Sequence, residues 1–150
     1  MSDPTVFSRR AMIAMTTALV FAAPVSAQNT AVPTKGGDLT PPQAYELASA
    51  NKIFLVDIRR PDEWASTGSG EGADRVDMRR KDFIDVLDKL VEGNRSAPVA
   101  LICARGVRSD RTSRRLRNAG FTNVIDVPEG MLGSRVGPGW IKRGLPLDRS

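Results

Sequence analysis

The chain has one cysteine, Cys103, and no histidine. Nucleophilic chemistry here would rest on a single thiol with no imidazole to deprotonate it. Cys103 is followed by Ala104, Arg105, Gly106, Val107, Arg108 and Ser109, a short basic turn with one glycine. Only the thiolate is the nucleophile, so a reactive cysteine needs surroundings that favour an anion. Arg105 and Arg108 bring positive charge near the sulfur, Gly106 permits a tight turn, and Ser109 is a good N-cap for the segment that follows. A helix terminus contributes only about 0.3–1 kcal/mol, so the arginines and loop amides must supply most of the stabilisation. A lone cysteine closing an apolar run is also, by type, a small buried hydrophobe. The residues by themselves leave both readings in place.

The elements around the thiol decide where it would be presented. Val99 to Cys103, after Pro98, is an apolar run too short for a helix and of the length of a strand buried on both faces. Beyond the basic turn a helical pattern containing Leu116 runs to Asn118-Ala119-Gly120. The thiol thus lies between the carboxyl end of a strand and the amino end of a helix, where α/β sheets bind ligands and where free N–H groups favour anions.

Upstream, Thr40 followed by Pro41 predicts a helix start, with an end near Asn51, and Ile53 to Ile58 reads as a second buried strand. Asp57 and Arg59 close that strand. They could brace it, with Arg59 bridging to Glu63 on a short helix begun by Pro61 and Asp57 accepting from loop amides, or they could act directly beside the cysteine. Thr67 to Ala73 is glycine-rich and reads as a flexible connection to a short strand around Asp74 to Asp77. Lys81 to Val91 carries Phe83, Ile84, Leu87, Leu90 and Val91 on one helical face, and Gly93-Asn94 ends it. Asn123 to Val127 predicts a further strand, Glu129 to Gly133 a segment closing over the strand ends, and Trp140-Ile141 the start of a last short helix. Trp64 and Trp140 read as core or lid. The alternation of strands and helices predicts an α/β fold with a mostly parallel central sheet and helices on both faces.

At 150 residues, 41% hydrophobic and 26% charged, the composition predicts one globular domain with one core. Arg9 and Arg10 precede the apolar stretch Ala11 to Ala23, and Val25-Ser26-Ala27 fits a small-residue cleavage site. Residues 1–27 therefore read as a bacterial export signal. Ser8 to Ile13 resembles a twin-arginine signal, with the Sec route also open, and a periplasmic mature protein is expected. The apolar stretch falls short of the ~20 residues of a spanning helix, so no stable membrane association is expected. Residues 28–37 have the composition of a flexible tether, leaving 38–150 as the domain. Removing the signal lowers the count of basic and acidic residues from 22 and 17 to 20 and 16. Arg111, Arg114 and Arg115 would share a helix side, read as a solvated face; with export, nucleic acid is not an expected partner, and a basic mouth for small anions is. No phosphate-loop or dinucleotide fingerprint occurs, and no cofactor or metal is called for.

With these residues in hand, the sequence resembles the rhodanese-domain sulfurtransferases. Cys103 to Ser109 is similar to their active-site loop. Leu55-Val56-Asp57-Ile58-Arg59, Pro61-Asp62-Glu63-Trp64, Gly120 to Val124 and Gly144-Leu145-Pro146 match in the same order, from roughly Asp38 to Leu147. The chain departs from the family's Gly-His-Ile-Pro-Gly-Ala motif near residues 68–73, keeping glycines but not the histidine or proline. The resemblance implies a rhodanese fold and a persulfide on Cys103. It implies that Ala104, Arg105, Gly106, Val107, Arg108 and Ser109 bind the substrate, and that Asp57, Arg59 and Glu63 brace the pocket. It implies a small anionic sulfur donor such as thiosulfate, a thiol or cyanide acceptor, and no cofactor. A persulfide carrier or partner-binding module is the alternative. A cysteine-loop phosphatase or arsenate reductase is less favoured, because those loops place five residues between cysteine and arginine and this one places four.

Overall fold

The computed structural model describes residues 30–150. The expected export signal and its cleavage site lie outside them. In chain order the elements are β1 (Gly37–Asp38), α1 (Pro41–Ser49), β2 (Phe54–Asp57), α2 (Pro61–Thr67), β3 (Ser69–Gly70), β4 (Ala73–Arg75), α3 (Phe83–Leu90), β5 (Val99–Ile102), α4 (Val107–Asn118), β6 (Val124–Asp126) and β7 (Leu147–Asp148). The first sheet has the order β1-β6-β5-β2-β4, with every neighbouring pair parallel. β3 and β7 form a separate antiparallel pair.

β5 is central, and its side chains alternate between two apolar layers as a strand of period two requires. Val99, Leu101 and Cys103 join Val56, Phe83 and Leu87 of α3 and Leu116 of α4 on one face. Ala100 and Ile102 join Leu55, Ile125, Trp140 and Ala44 and Leu47 of α1 on the other. Every residue of β5 is buried, so an unbroken apolar run was required. The α/β architecture expected from the sequence is the observed one.

Several local expectations change. Trp140 and Ile141 open a turn, not a helix, because Gly139 and Gly144 flank a segment only a few residues long. Trp140 is nonetheless fully buried, donates Nε1–H to the Pro146 carbonyl at 2.9 Å and meets Tyr45 edge to face. The glycine-rich segment after Thr67 is pinned: β3 pairs with β7, and Ser69 Oγ donates to the buried Asp57 carboxylate at 2.8 Å. Of the stretch before residue 38, Val32 packs against the α1-side core, Gly36 N–H donates to Asn123 Oδ1 at 3.0 Å, and Gly37 pairs with Ile125. Among the described residues no helix is long and apolar enough to cross a membrane.

Candidate active site

The cysteine leaves the carboxyl end of β5 and the chain turns at once into α4. The turn is made by Gly106, whose φ of +82° is the left-handed conformation that suits glycine. A Cβ there would also stand 2.2 Å from the Pro128 carbonyl oxygen. Gly106 is the N-cap, and α4 starts at Val107. Ser109 is therefore in the first turn and not the cap expected from its type.

That shift gives Ser109 a different task. Cys103 Sγ accepts N–H bonds from Gly106 at 3.2 Å and Ser109 at 3.4 Å. Two amides at the start of a helix thus converge on the sulfur as hydrogen-bond donors. The Ser109 hydroxyl lies 3.5 Å from Sγ, accepting from the thiol, and donates to the Gly106 carbonyl at 3.0 Å. Cys103 is 1% exposed and Ser109 is fully buried. The sulfur sits at the floor of a cavity of about 400 Å³ lined by Glu63, Ala104, Arg105, Arg108 and Leu132 among others.

Opposite the loop, α2 presents Glu63. Arg108 grips it with two hydrogen bonds, Nη2–H to Oε1 at 2.6 Å and Nη1–H to Oε2 at 2.8 Å. Glu63 Oε2 also accepts from the Arg60 backbone N–H at 3.1 Å. Hydrogen bonding from Arg108 leads the effects that hold the Glu63 carboxyl down at about 2. Arg108 also feels the field of Cys103. Arg105, by contrast, is exposed and has no carboxylate partner among the described residues.

The expected Arg59–Glu63 bridge is not made, because each finds a nearer partner. Arg59, 1% exposed, donates Nε–H and Nη2–H to Asp57 and further bonds to Thr67 Oγ1 and the Gly68 carbonyl. Asp57 accepts from the Arg59 backbone N–H at 3.1 Å and from Ser69. This closed network fixes the end of β2 and the loop leading to β3, without lining the cysteine cavity. Ala104 to Gly106 and the first turn of α4 through Ser109, by contrast, lie around the sulfur.

Four residues here were not among the expected site residues, although Leu132 lies in the Glu129 to Gly133 segment expected to close over the strand ends. Leu132 lines the cysteine cavity, held there because Met131 and Leu132 donate backbone N–H bonds to the Cys103 and Ala104 carbonyls at 2.8 and 2.9 Å. The approach depends on Gly130, whose added Cβ would lie 2.5 Å from the Ala104 oxygen. The Glu129-Gly130 pair was the available signal. Asp126, at the end of β6, is 7% exposed with Oδ1 unpartnered, and its carboxyl is pushed up to about 6, chiefly by burial. Arg135 and Lys142 flank a second cleft that shares Arg105, Val107 and Leu132 with the cysteine cavity.

Comparison with known proteins gives this geometry a family. A model of the rhodanese-like domain matches residues 40–133, spanning the first helix, the cysteine loop and Leu132. The thiosulfate sulfurtransferase GlpE of Actinobacillus pleuropneumoniae serotype 3 is 29% identical over 111 residues, covering 74% of this chain and 92% of that protein. The crystal structure of Rv0390 from M. tuberculosis superposes with a TM-score of 0.56 at 30% identity, covering 77% of this chain and 98% of that one. The polysulfide-sulfur transferase homodimer from Wolinella succinogenes superposes with a TM-score of 0.54 at 25% identity, over 76% of this chain and 79% of that one. A strand-end cysteine facing a helix start, in a five-stranded parallel sheet matched over most of its length, makes this chain a member of the rhodanese-like domain family.

Proposed function

We propose that the protein is a sulfurtransferase that carries a sulfane sulfur on Cys103. The observation that supports this most directly is the convergence of the Gly106 and Ser109 amides on Sγ, 3.2 and 3.4 Å away. In the first half-reaction the Cys103 thiolate attacks the outer sulfur of thiosulfate. A sulfur–sulfur bond to Cys103 forms, the bond to the sulfonate sulfur breaks, and the electron pair leaves with sulfite. The persulfide anion remains beside loop N–H groups and the Arg108 guanidinium, donors already in place for developing charge. In the second half-reaction an acceptor thiolate or cyanide attacks the outer sulfur, and the electron pair returns to Cys103. No group outside the chain and its two substrates is consumed.

The sulfurtransferase names of the two relatives support the class of reaction but not the particular donor. Asp57 and Arg59 act as bracing groups in this reading, Arg105 as the unpaired positive charge toward the donor, and Arg108, held by Glu63, as an oriented N–H donor beside it. We further propose that residues 1–27 direct export and are removed, so that the domain works in the periplasm. Amino-terminal sequencing of the exported protein should begin at Gln28; retention of residues 1–27 overturns that part.

Intact mass spectrometry tests the central step. The purified protein exposed to thiosulfate should gain the mass of one sulfur atom, lose it on treatment with cyanide, and gain nothing as Cys103→Ser. Absence of the gain in the unaltered protein overturns the assignment.

A further inference from the structure

Beside the cysteine cavity lies a second, larger cleft of about 560 Å³. One wall belongs to the cysteine loop, through Arg105 and Val107; the other is the segment after Gly130, through Leu132, Arg135 and Pro138, with Lys142 on the turn that follows. The two cavities share Arg105, Val107 and Leu132, so a molecule lying in the cleft has an end within reach of the sulfur's own cavity.

The charges in this cleft differ from most of the arginines elsewhere on the surface. Arg60, Arg75, Arg79, Arg80, Arg95 and Arg114 each have a carboxylate partner. Arg108 is matched by Glu63 and Arg143 by Glu129 at the edges of the same region. Arg105, Arg135 and Lys142 line the cleft with no carboxylate on any of them among the described residues. Among those residues no acidic side chain lines the cleft either. Between the cations the surface is apolar, and Val107 and Leu132 are 66% and 44% exposed.

The far wall is held rigidly. Glu129, 3% exposed, accepts from the Gly139 N–H at 3.0 Å and from Arg143 at 2.7 and 2.8 Å. Ser134 Oγ–H donates to the Pro128 carbonyl, and Ser134 N–H to the Gly137 carbonyl. The backbone bonds from Met131 and Leu132 then tie this wall to Cys103 and Ala104. A wall fixed relative to the sulfur is what a positioning site requires.

Resting on the sulfurtransferase reading, we propose that this cleft selects the acceptor, and that the acceptor is a small thiol carrying two or more carboxylates. The carboxylates engage Arg105, Arg135 and Lys142, the aliphatic backbone of the thiol lies on Val107 and Leu132, and the thiolate reaches the Cys103 persulfide. Its attack forms a bond to the outer sulfur and breaks the bond to Sγ, which takes the electron pair. The products are the acceptor persulfide and the free Cys103 thiolate. The cleft volume falls within the roughly 300–1,000 Å³ usual for small-ligand sites. A mouth with cations on both walls and no acid accounts for preference by charge as well as shape.

Three arms test this. First, the thiosulfate-loaded protein is discharged with mercaptosuccinate, a dicarboxylate thiol, and with 2-mercaptoethanol, a neutral one. Arg135→Gln and Lys142→Gln should each slow discharge to mercaptosuccinate about three- to tenfold, as expected for one exposed charge contact, and leave 2-mercaptoethanol unchanged. Equal effects on the two thiols, or none, overturn the proposal. Second, nuclear magnetic resonance titration of the unloaded protein with (methylthio)succinate, which cannot accept sulfur, should shift amide signals around residues 132–142 and bind more weakly in both variants. No binding, or binding unaffected by the substitutions, overturns the proposal even where sulfur loading succeeds. This arm also stands alone should loading fail. Third, a cysteine peptide flanked by acidic residues should discharge the persulfide no faster than mercaptosuccinate; a clear advantage for the peptide overturns the small-molecule assignment in favour of a protein partner.

Discussion

Arg108 holds Glu63 with two parallel hydrogen bonds of 2.6 and 2.8 Å across the mouth of the Cys103 cavity. The pair joins the first turn of α4 to α2, elements separated by 45 residues in sequence. Such a fork fixes the guanidinium in one plane, which a single-point contact would not. It also offsets much of the arginine's charge, so Arg108 acts as an oriented donor more than as a free cation.

From this pairing, Arg108→Ala should lower kcat/KM for thiosulfate roughly 10- to 150-fold, the equivalent of about 1.5–3 kcal/mol for one charge-assisted contact. Glu63→Gln should cost less, because the arginine remains but is held less firmly. The double variant should fall well short of the product of the two single effects, as expected for groups acting as a unit. A multiplicative result in steady-state assays would show that Glu63 and Arg108 act independently.

The same pair sets an acid limit. Glu63 has its folded value lowered to about 2 from 4.5, chiefly by the Arg108 hydrogen bonds. The pair's stabilisation is therefore fully present above about pH 4.5 and is lost as the pH falls toward 2. Glu63 and Arg108 side chains are 19% and 33% exposed, so solvent screening keeps the contribution near ~1 kcal/mol. Urea midpoints of the unaltered protein and Glu63→Gln, measured from pH 3 to 7, should converge at the acid end.

Salt should separate steering from holding. With Arg108 engaged, the long-range attraction of an anionic donor falls to unpaired cations such as Arg105. The second-order rate of sulfur loading by thiosulfate should decline as ionic strength rises. Arg108→Ala should keep most of that slope while lowering the rate at every salt concentration, and Arg105→Ala should flatten it. Stopped-flow or quenched-flow loading rates read this directly.

Much of this arrangement was legible in the chain. Pro98 and the apolar run to Cys103 sufficed for a central strand, because strands covered on both faces need unbroken hydrophobicity. The placement of the thiol at a strand end before a helix followed from that. The identity of the partners did not. Arg59 and Glu63 are four residues apart with one at each side of Pro61, a spacing that suits a local bridge. Which partner a long arginine takes depends on burial, and Arg59 is drawn to Asp57 under Ser69 and Gly68 while Glu63 faces α4. Ser109 has the composition of a cap, but the left-handed Gly106 starts the helix at Val107, earlier than a Ser109 cap would, and turns Ser109 toward the sulfur. Residues 131 and 132 fall in the segment expected to close over the strand ends, but their bonds to Cys103 and Ala104, and the place of Arg135 and Lys142 on the neighbouring cleft, are long-range in sequence and leave no periodic signature.

Asp126 gives a stability test of the opposite sign. Its carboxyl is raised from 3.8 to about 6, first by desolvation, offset partly by Ser109, with Asp38 and Asp110 adding repulsion. The folded state thus binds a proton that the unfolded chain releases between about pH 4 and 6. Stability falls as the pH rises through that window and stays lower above it. Asp126→Asn removes the charge and should stabilise the protein at pH 7 by up to about 3 kcal/mol, with little effect below pH 4. Denaturant unfolding at the two pH values would decide it, and a destabilised Asn variant at pH 7 would show that the ionised carboxylate is structural.

The Asp57–Arg59 pair separates bracing from catalysis. Both side chains are essentially inaccessible, at 0% and 1% exposure, and their shortest contact is 2.7 Å. Arg59 also ties Thr67 and Gly68 to the end of β2, so its loss leaves a buried carboxylate facing only Ser69 and one backbone N–H. Stranding one member of a buried ion pair costs about 3–5 kcal/mol, whereas replacing both with well-packed neutral groups is far milder. Arg59→Leu should therefore be destabilised by several kcal/mol, and Asp57→Asn combined with Arg59→Leu should recover part of the loss. Neither residue lines the cysteine cavity, so sulfur loading per folded molecule should stay close to that of the unaltered protein in the double variant. Equilibrium unfolding and intact mass after thiosulfate, run on the same preparations, give the two readouts. A double variant that is stable yet fails to load would place this pair in the chemistry of Cys103.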